Sequence, residues 1–345
     1  MINGVTLPPL LSPPCDDHLI SEVWGSRFYL PTLLLADEIG LFTFLATTPA
    51  NAERLAAEFS LGQNGIEIVL DLLSALGFLE RQQDGFHLSE TTQHYMLPES
   101  PYYCGNILRG MNTQPFTAAG LKDLLVKEQE SDPELQQGWK VEEMSAAITE
   151  RVTAAVHAHA LPSALGVAQK GDFTGVRRLL DIAGGSGCYC MALSLHYADM
   201  HFTVLELPSV SRVVARYIAA YGLEDRIDTV AVDMFTDSWP SGYDGIFFSD
   251  VFHNWQRANC LYLAQRSFAA LPPGGRLFVH EMLLNETRNA PLTVVAHSMH
   301  MHNFLGGRQY TMGELEDLLH EAGFVNISVT PTFSSYSLVT ASKPV

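Results

Sequence analysis

"LLDIAGGSGCYC", residues 179–190, sets an apolar run of strand length directly before glycines at 184, 185 and 187. Glycine lets the backbone turn tightly and approach a ligand, and a helix starting just after it offers unpaired N–H groups. A dinucleotide fingerprint, G-x-G-x-x-G, would need a third glycine where, counting from Gly185, the chain has Cys190. The close helix packing that this glycine permits is therefore absent, and NAD is disfavoured. Taken alone, the stretch also reads as an ordinary tight turn.

Downstream the grammar is strand and helix in alternation. "HFTVLEL" (201–207), "IDTVAVDMF" (227–235), "GYDGIFFSDVF" (242–252) and "GRLFVHEMLL" (275–284) are short apolar runs separated by helical stretches. That rhythm predicts an α/β fold with a doubly wound, mostly parallel sheet. The tail, "GFVNISVTPTFSSYSLVTASK" (323–343), reads as an antiparallel closing hairpin. Ligands of such sheets bind at the carboxyl ends of the strands. The second strand ends at Glu206, nineteen residues beyond Gly187, where a carboxylate can accept both hydroxyls of a ribose. The third ends at Asp233, suited to an exocyclic amine, with Met234 and Phe235 as apolar walls for a flat base. Each is bland singly, but together they describe a nucleoside slot in chain order.

Upstream, residues 17–110 are helical and then hairpin-like around Asp84-Gly85, a winged-helix outline. Residues 50–95 hold seven acids against Arg54 and Arg81, which makes phosphate contact a poor fit and a protein interface a better one. The expected organisation is a helical, winged-helix dimerisation domain over 1–110, a helical connection to the substrate pocket over 111–170, and a catalytic domain over 171–345. "KEQESDPELQQGW" (127–139) reads as an exposed part of that connection, and the proline-broken residues 1–17 as an irregular arm rather than a signal peptide. The net charge of −18 repels nucleic acid and anionic membranes. No run reaches the ~18 apolar residues of a membrane helix. Five scattered cysteines fit neither a zinc knuckle nor a redox pair, which points to a reducing, cytoplasmic setting.

The motifs "LLDIAGGSG", "LELPSV", "VDMF", "FHNW", "LPPGGRLFVHE" and "GGRQYT" followed by "ELEDLLHEAGF" occur in one order. By them the chain resembles the class I S-adenosylmethionine-dependent methyltransferases. Over nearly its whole length it is similar to the plant-type small-molecule O-methyltransferases and their bacterial hydroxyneurosporene methyltransferase-like relatives. The resemblance implies S-adenosylmethionine held by Asp181, Gly184, Gly185, Glu206, Leu207, Asp233, Met234, Phe235, Ser249 and Trp255. It also implies a homodimer whose N-terminal helices interlock and partly close the partner's cavity. The implied acceptor is a hydroxyl of a small aromatic or pigment-like metabolite.

By the same resemblance His253 is the general base and Glu281 the carboxylate that holds it. An imidazole with an ordinary pKa near ~6.5 can take a hydroxyl proton at cytoplasmic pH; the bland alternative is a satisfied histidine at a strand end. Three departures stand out: Asn254 replaces the family's aspartate, Gln309 stands where a second carboxylate is expected, and Ala183 replaces the first of three glycines.

"AHSMHMHNF" (296–304) falls on a helix expected to start at Asn289–Pro291 and stop at Gly306-Gly307. His297 and His300 share a face, and His302 is turned some 140° from His297 at ~100° per residue. By resemblance this helix walls the acceptor cavity, so His300, His297 and Phe304 are expected to line it and His302 to pack. Similar relatives that C-methylate 2-oxo acids place a histidine after the fourth strand and another on this helix around a divalent metal. No third ligand is assignable, so no metal site is expected, and metal-assisted C-methylation stands as the alternative reaction. A ligand-sensing winged-helix regulator is the alternative from another class; its acidic surface argues against it.

Overall fold

A computed structural model describes residues 14–112, 117–130 and 145–345. The arm expected over 1–17 lies outside the described residues as far as 13, and the connection expected over 127–139 does so from 131 onward. The chain forms two compact units, divided between Gly110 and Met111.

The first unit runs α1 (His18–Ser26), α2 (Tyr29–Glu38), α3 (Leu41–Thr47), α4 (Ala52–Glu58), α5 (Gln63–Ala75), β1 (Leu79–Gln82), β2 (Gly85–Leu88), α6 (Glu90–Tyr95) and α7 (Gly105–Met111). Asn51 starts α4 by accepting the Arg54 N–H at 2.9 Å, since the first turn of a helix has no internal acceptor for it. Strands β1 and β2 pair antiparallel from Leu79↔Leu88 to Gln82↔Gly85, an order consistent with the winged-helix outline. Gly85 is required there: its φ is +133°, and a Cβ would lie 2.5 Å from the Ala50 backbone. The unit has its own core of Leu41, Phe42, Leu55, Ile66 and Leu70. On α1, by contrast, Leu19, Ile20, Val23 and Trp24 are exposed, Leu19 by 77%.

Among the described residues no single helix is long and apolar enough to cross a bilayer. A pair bent by 60°, His18–Glu38 with Leu41–Thr47, reaches that length and composition, and Leu33, Leu34, Leu41, Phe42 and Leu45 within it are buried against protein.

The second unit comprises α8 (Ala118–Glu130), α9 (Ala146–Lys170), β3 (Arg178–Ile182), α10 (Cys188–Ser194), β4 (His201–Glu206), α11 (Pro208–Ala220), β5 (Ile227–Ala231), β6 (Gly245–Ser249), α12 (Arg257–Ala270), β7 (Arg276–Met282), α13 (Leu292–Leu305), α14 (Met312–Glu321), β8 (Val325–Pro331) and β9 (Tyr336–Ser342). The sheet order is β5-β4-β3-β6-β7-β9-β8. The first five strands are parallel, and β9 joins β7 and β8 antiparallel, so the expected sheet and hairpin are both present. Alternation along each strand explains the helices on both faces. Leu180, Ile182, Ile246, Phe248, Leu277 and Val279 pack on α12 and α14. Leu179, Phe247 and Phe278 pack on the other face with residues of α9, α10 and α11. Strand order reverses between β3 and β6, which opens a crevice beyond their carboxyl ends.

Candidate active site

The loop after β3 takes left-handed backbone at Ala183 (φ +54°), Gly185 (φ +60°) and Gly187 (φ +77°). Ala183 therefore occupies a conformation that costs an L-residue about 1 kcal/mol and glycine little. Gly184 is needed for a different reason, because a Cβ there would lie 2.5 Å from Asp181 Oδ2 and 2.9 Å from Val204. The Gly185 N–H donates to Glu206 Oε1 at 3.1 Å, and the Leu207 N–H donates to Oε2 at 2.7 Å. Strand β4 thus delivers a carboxylate against the glycine turn. Burial pushes Glu206 up to about 7, against the pull of its two N–H donors.

Asp181 is buried, and its Oδ2 accepts from Cys190 Sγ at 3.3 Å while Oδ1 has no partner. Burial raises this carboxyl to about 7 as well. Cys190, the residue that breaks the dinucleotide fingerprint, is wholly buried. Beyond β5, Asp233 Oδ1 accepts the Phe235 N–H at 2.7 Å. Phe235 stands edge-on to Trp255, their centroids 4.7 Å apart, and Met234 packs beside them against the buried core that contains Trp255. A turn of three glycines, a half-buried carboxylate and an aromatic wall are thereby brought to one end of the sheet. Ser249 is placed differently: its Oγ hydrogen-bonds His280 Nδ1 at 3.0 Å.

His253 lies in a 3₁₀ turn, Phe252–Asn254, just past β6. Its Nδ1 is 2.7 Å from Glu281 Oε2, from the neighbouring strand β7. The other oxygen, Oε1, accepts the N–H groups of Val251, Phe252 and His253 at 3.1, 2.9 and 3.3 Å. One carboxylate therefore fixes both the ring and the turn that carries it. Burial alone would lower the His253 pKa. The Glu281 charge and hydrogen bond, followed by the charge of Asp250, outweigh burial and raise it. With Nδ1 committed to Glu281, Nε2 is the ring atom left to take a proton.

Asp250, His253 and Glu281 bring donor atoms within 4.8 Å of one another. Within the trio His253 and Glu281 are hydrogen-bonded to each other, whereas Asp250 Oδ1 has no hydrogen-bond partner and Oδ2 accepts from Tyr336. Gly307 closes the back of the site: a Cβ there would meet the His253 carbonyl oxygen at 2.1 Å. Tyr310 donates to the Trp255 carbonyl at 2.8 Å, which ties the same segment down.

Helix α13 starts after Pro291 and stops at left-handed Gly306, as its sequence predicts. His297 reaches His253 edge-on, with centroids 5.6 Å apart, and His300 lies 5.7 Å from His297. Burial, then repulsion from His253, His300 and His159, pushes His297 to about 4; burial and His253 lower His300. These imidazoles are neutral at physiological pH. His302 is half-buried. The side chain of Phe304 lies outside the described residues.

Asp250 and His157 of the site carry no motif. Asp250, three positions before His253, comes within 3.7 Å of its Nδ1 and accepts from the Tyr336 hydroxyl at 3.3 Å. His157 of α9 hydrogen-bonds Ser186 of the glycine turn at 2.7 Å and stacks on Tyr217. Gln309 is buried, with neither side-chain polar atom partnered. The strand-end position is the signal for Asp250, and the motif "GGRQYT" marks Gln309, whereas His157 meets Ser186 from a distant part of the chain.

The O-methyltransferase domain family matches residues 136–325. Among curated proteins, the chain is 30% identical over 330 residues to 3-hydroxy-5-methyl-1-naphthoate 3-O-methyltransferase of Streptomyces sahachiroi, covering 93% of this chain and 92% of that one. It is 26% identical to the tetracenomycin polyketide synthesis 8-O-methyl transferase of Streptomyces glaucescens, over 95% and 96% of the two chains. Among solved structures, human N-acetylserotonin methyltransferase in complex with SAM superposes with a TM-score of 0.78 at 23% identity, over 97% of this chain and all of the other.

Proposed function

The chain belongs to the O-methyltransferase family, and from that premise we propose that it methylates a hydroxyl of a small aromatic metabolite with His253 as general base. It is an S-adenosylmethionine-dependent O-methyltransferase. The crevice fits that donor: the turn is left-handed where the backbone must fold around a ligand, Glu206 is half-buried beside it, and Asp181 Oδ1 is buried without a partner. Asp181, Gly184, Gly185, Glu206 and Leu207 would hold it on one side and Asp233, Met234, Phe235 and Trp255 on the other, with Ser249, whose hydroxyl bonds His280, at the strand end between them. When bound, S-adenosylmethionine supplies a methyl group on a positively charged sulfur.

What this chain adds is orientation and a proton acceptor. Glu281 holds Nδ1–H of His253 and so selects the tautomer with a lone pair on Nε2, which accepts the proton of the attacking hydroxyl. The imidazolium that results keeps its charge beside Glu281. His297 and His300, neutral and on the same side of α13, are proposed to contact the acceptor. The observation that carries this reading is the 2.7 Å contact between His253 and Glu281. The aromatic acceptor is supported by the naphthoate and tetracenomycin relatives. A homodimer built on the first unit is proposed from the exposed apolar face of α1, and the five free thiols suit a reducing, cytoplasmic setting.

The test is His253→Ala. Calorimetry should find donor affinity near normal while transfer falls about 10²–10⁴-fold. Undiminished turnover would remove His253 from the mechanism.

A further inference from the structure

We propose that Asp250 is the second carboxylate acting on His253, a positioning residue supplying the charge that position 309 lacks. This rests on His253 being the base. Gln309 is buried and cannot ionise. Asp250 is the residue after β6, and its backbone is left-handed (φ +54°), a conformation that Asp and Asn tolerate better than most residues. Two hydrogen bonds hold it there. Its N–H donates to the His280 carbonyl at 3.1 Å, and its own carbonyl accepts from Asn254 Nδ2 at 2.8 Å. The side chain is then aimed: Oδ2 takes the Tyr336 hydroxyl, while Oδ1, buried and with no hydrogen-bond partner, lies 3.7 Å from His253 Nδ1.

Glu281 and Asp250 thus flank one edge of one imidazole. Other titratable groups face the pair from α10 (Cys188 and Tyr189), α12 (Cys260), β9 (Tyr336), α13 (His297 and His300) and the segment before α14 (Tyr310). Burial pushes both thiols and all three phenols up, and pushes His297 and His300 down, so all seven are neutral near pH 7. Among the described residues, Glu281 and Asp250 are the charges that raise the His253 pKa. Burial, opposed by the His253 charge, reinforced by that of Glu281 and eased by the Tyr336 hydroxyl, leaves Asp250 raised to about 7. Asp250 and His253, 3.7 Å apart, do not titrate independently of each other. Ionised, Asp250 stabilises the imidazolium and strengthens the base; protonated, it does not.

Nuclear magnetic resonance on the full chain labelled at histidine Cε1 tests this without turnover. Asp250→Asn keeps the left-handed backbone and the side-chain shape but removes the charge. The His253 midpoint should fall by about one pH unit, a tenfold loss of proton affinity, and the rising limb of kcat/KM against pH should move down with it. Tyr336→Phe takes a donor from Asp250, disfavours its ionised form, and should shift the midpoint in the same direction by less; it serves if Asp250→Asn does not fold. Unmoved midpoints in folded variants would overturn the proposal, as would weaker donor binding with the His253 titration unchanged. A shifted midpoint in a protein whose His253→Ala variant still turns over would leave the coupling standing and remove only the base assignment.

Discussion

His253 and His280 are both buried at the carboxyl ends of adjacent strands, yet their surroundings drive them in opposite directions. His280 is bracketed by hydroxyls, Ser249 at Nδ1 and Thr332 at Nε2 (2.8 Å), and stacks on Tyr336. With no charge to offset burial, it is pushed to about 3. One residue further along β7, Glu281 points to the opposite face of the sheet and meets His253, whose pKa rises. Burial is common to both. A carboxylate on one side of the strand and a pair of hydroxyls on the other decide which imidazole can exchange a proton near neutrality.

The Glu281 carboxylate is the charge that separates the two histidines, so its loss has the largest expected effect. Glu281→Gln replaces the charge and forces a donor toward groups that now meet only acceptor oxygens, so turnover should fall about 10²–10⁴-fold and the His253 midpoint should drop. Retained activity with an unshifted midpoint would mean that burial, not the carboxylate, governs His253. A smaller effect is expected at Gly307. Gly307→Ala pushes the 306–310 segment off the His253 carbonyl, and turnover should fall about 10–100-fold at unchanged donor affinity, with stability lower by about 1–3 kcal/mol. Equal kinetics would show that the turn has room to spare.

The smallest catalytic effect belongs to His280→Gln, which should leave the pH dependence of turnover unmoved. Its signature is in stability. A histidine whose folded pKa is lowered is protonated more readily in the unfolded chain, so its contribution is complete above about pH 6.5 and is lost as pH falls toward about 3. The slope from this residue approaches about 1.4 kcal/mol per pH unit within that window, and His297 adds in the same direction. Denaturant titrations from pH 7 to 4 should show the slope flattened in the variant; an identical slope would mean that His280 is not the group responsible.

The sheet, the closing hairpin, helix α13 and the glycine turn are legible in the sequence because each has a local cause: two-residue alternation, a proline start, a glycine stop. His253 and Glu281 are legible through motif order. Asp250 and Tyr336 are not, since 86 residues separate them and only the pairing of β9 with β7 brings the phenol over the end of β6. The His157–Ser186 contact is hidden for the same reason. Gln309 could be read as a missing charge, but where that charge reappears depends on the left-handed bend at Asp250, which no local pattern announces.

Ala183 offers a last consequence. A methyl group on a left-handed residue narrows the conformations open to this loop in the absence of any ligand, so less freedom remains to be surrendered when the donor arrives. Replacing it with glycine would relax the bend and slacken the seat together.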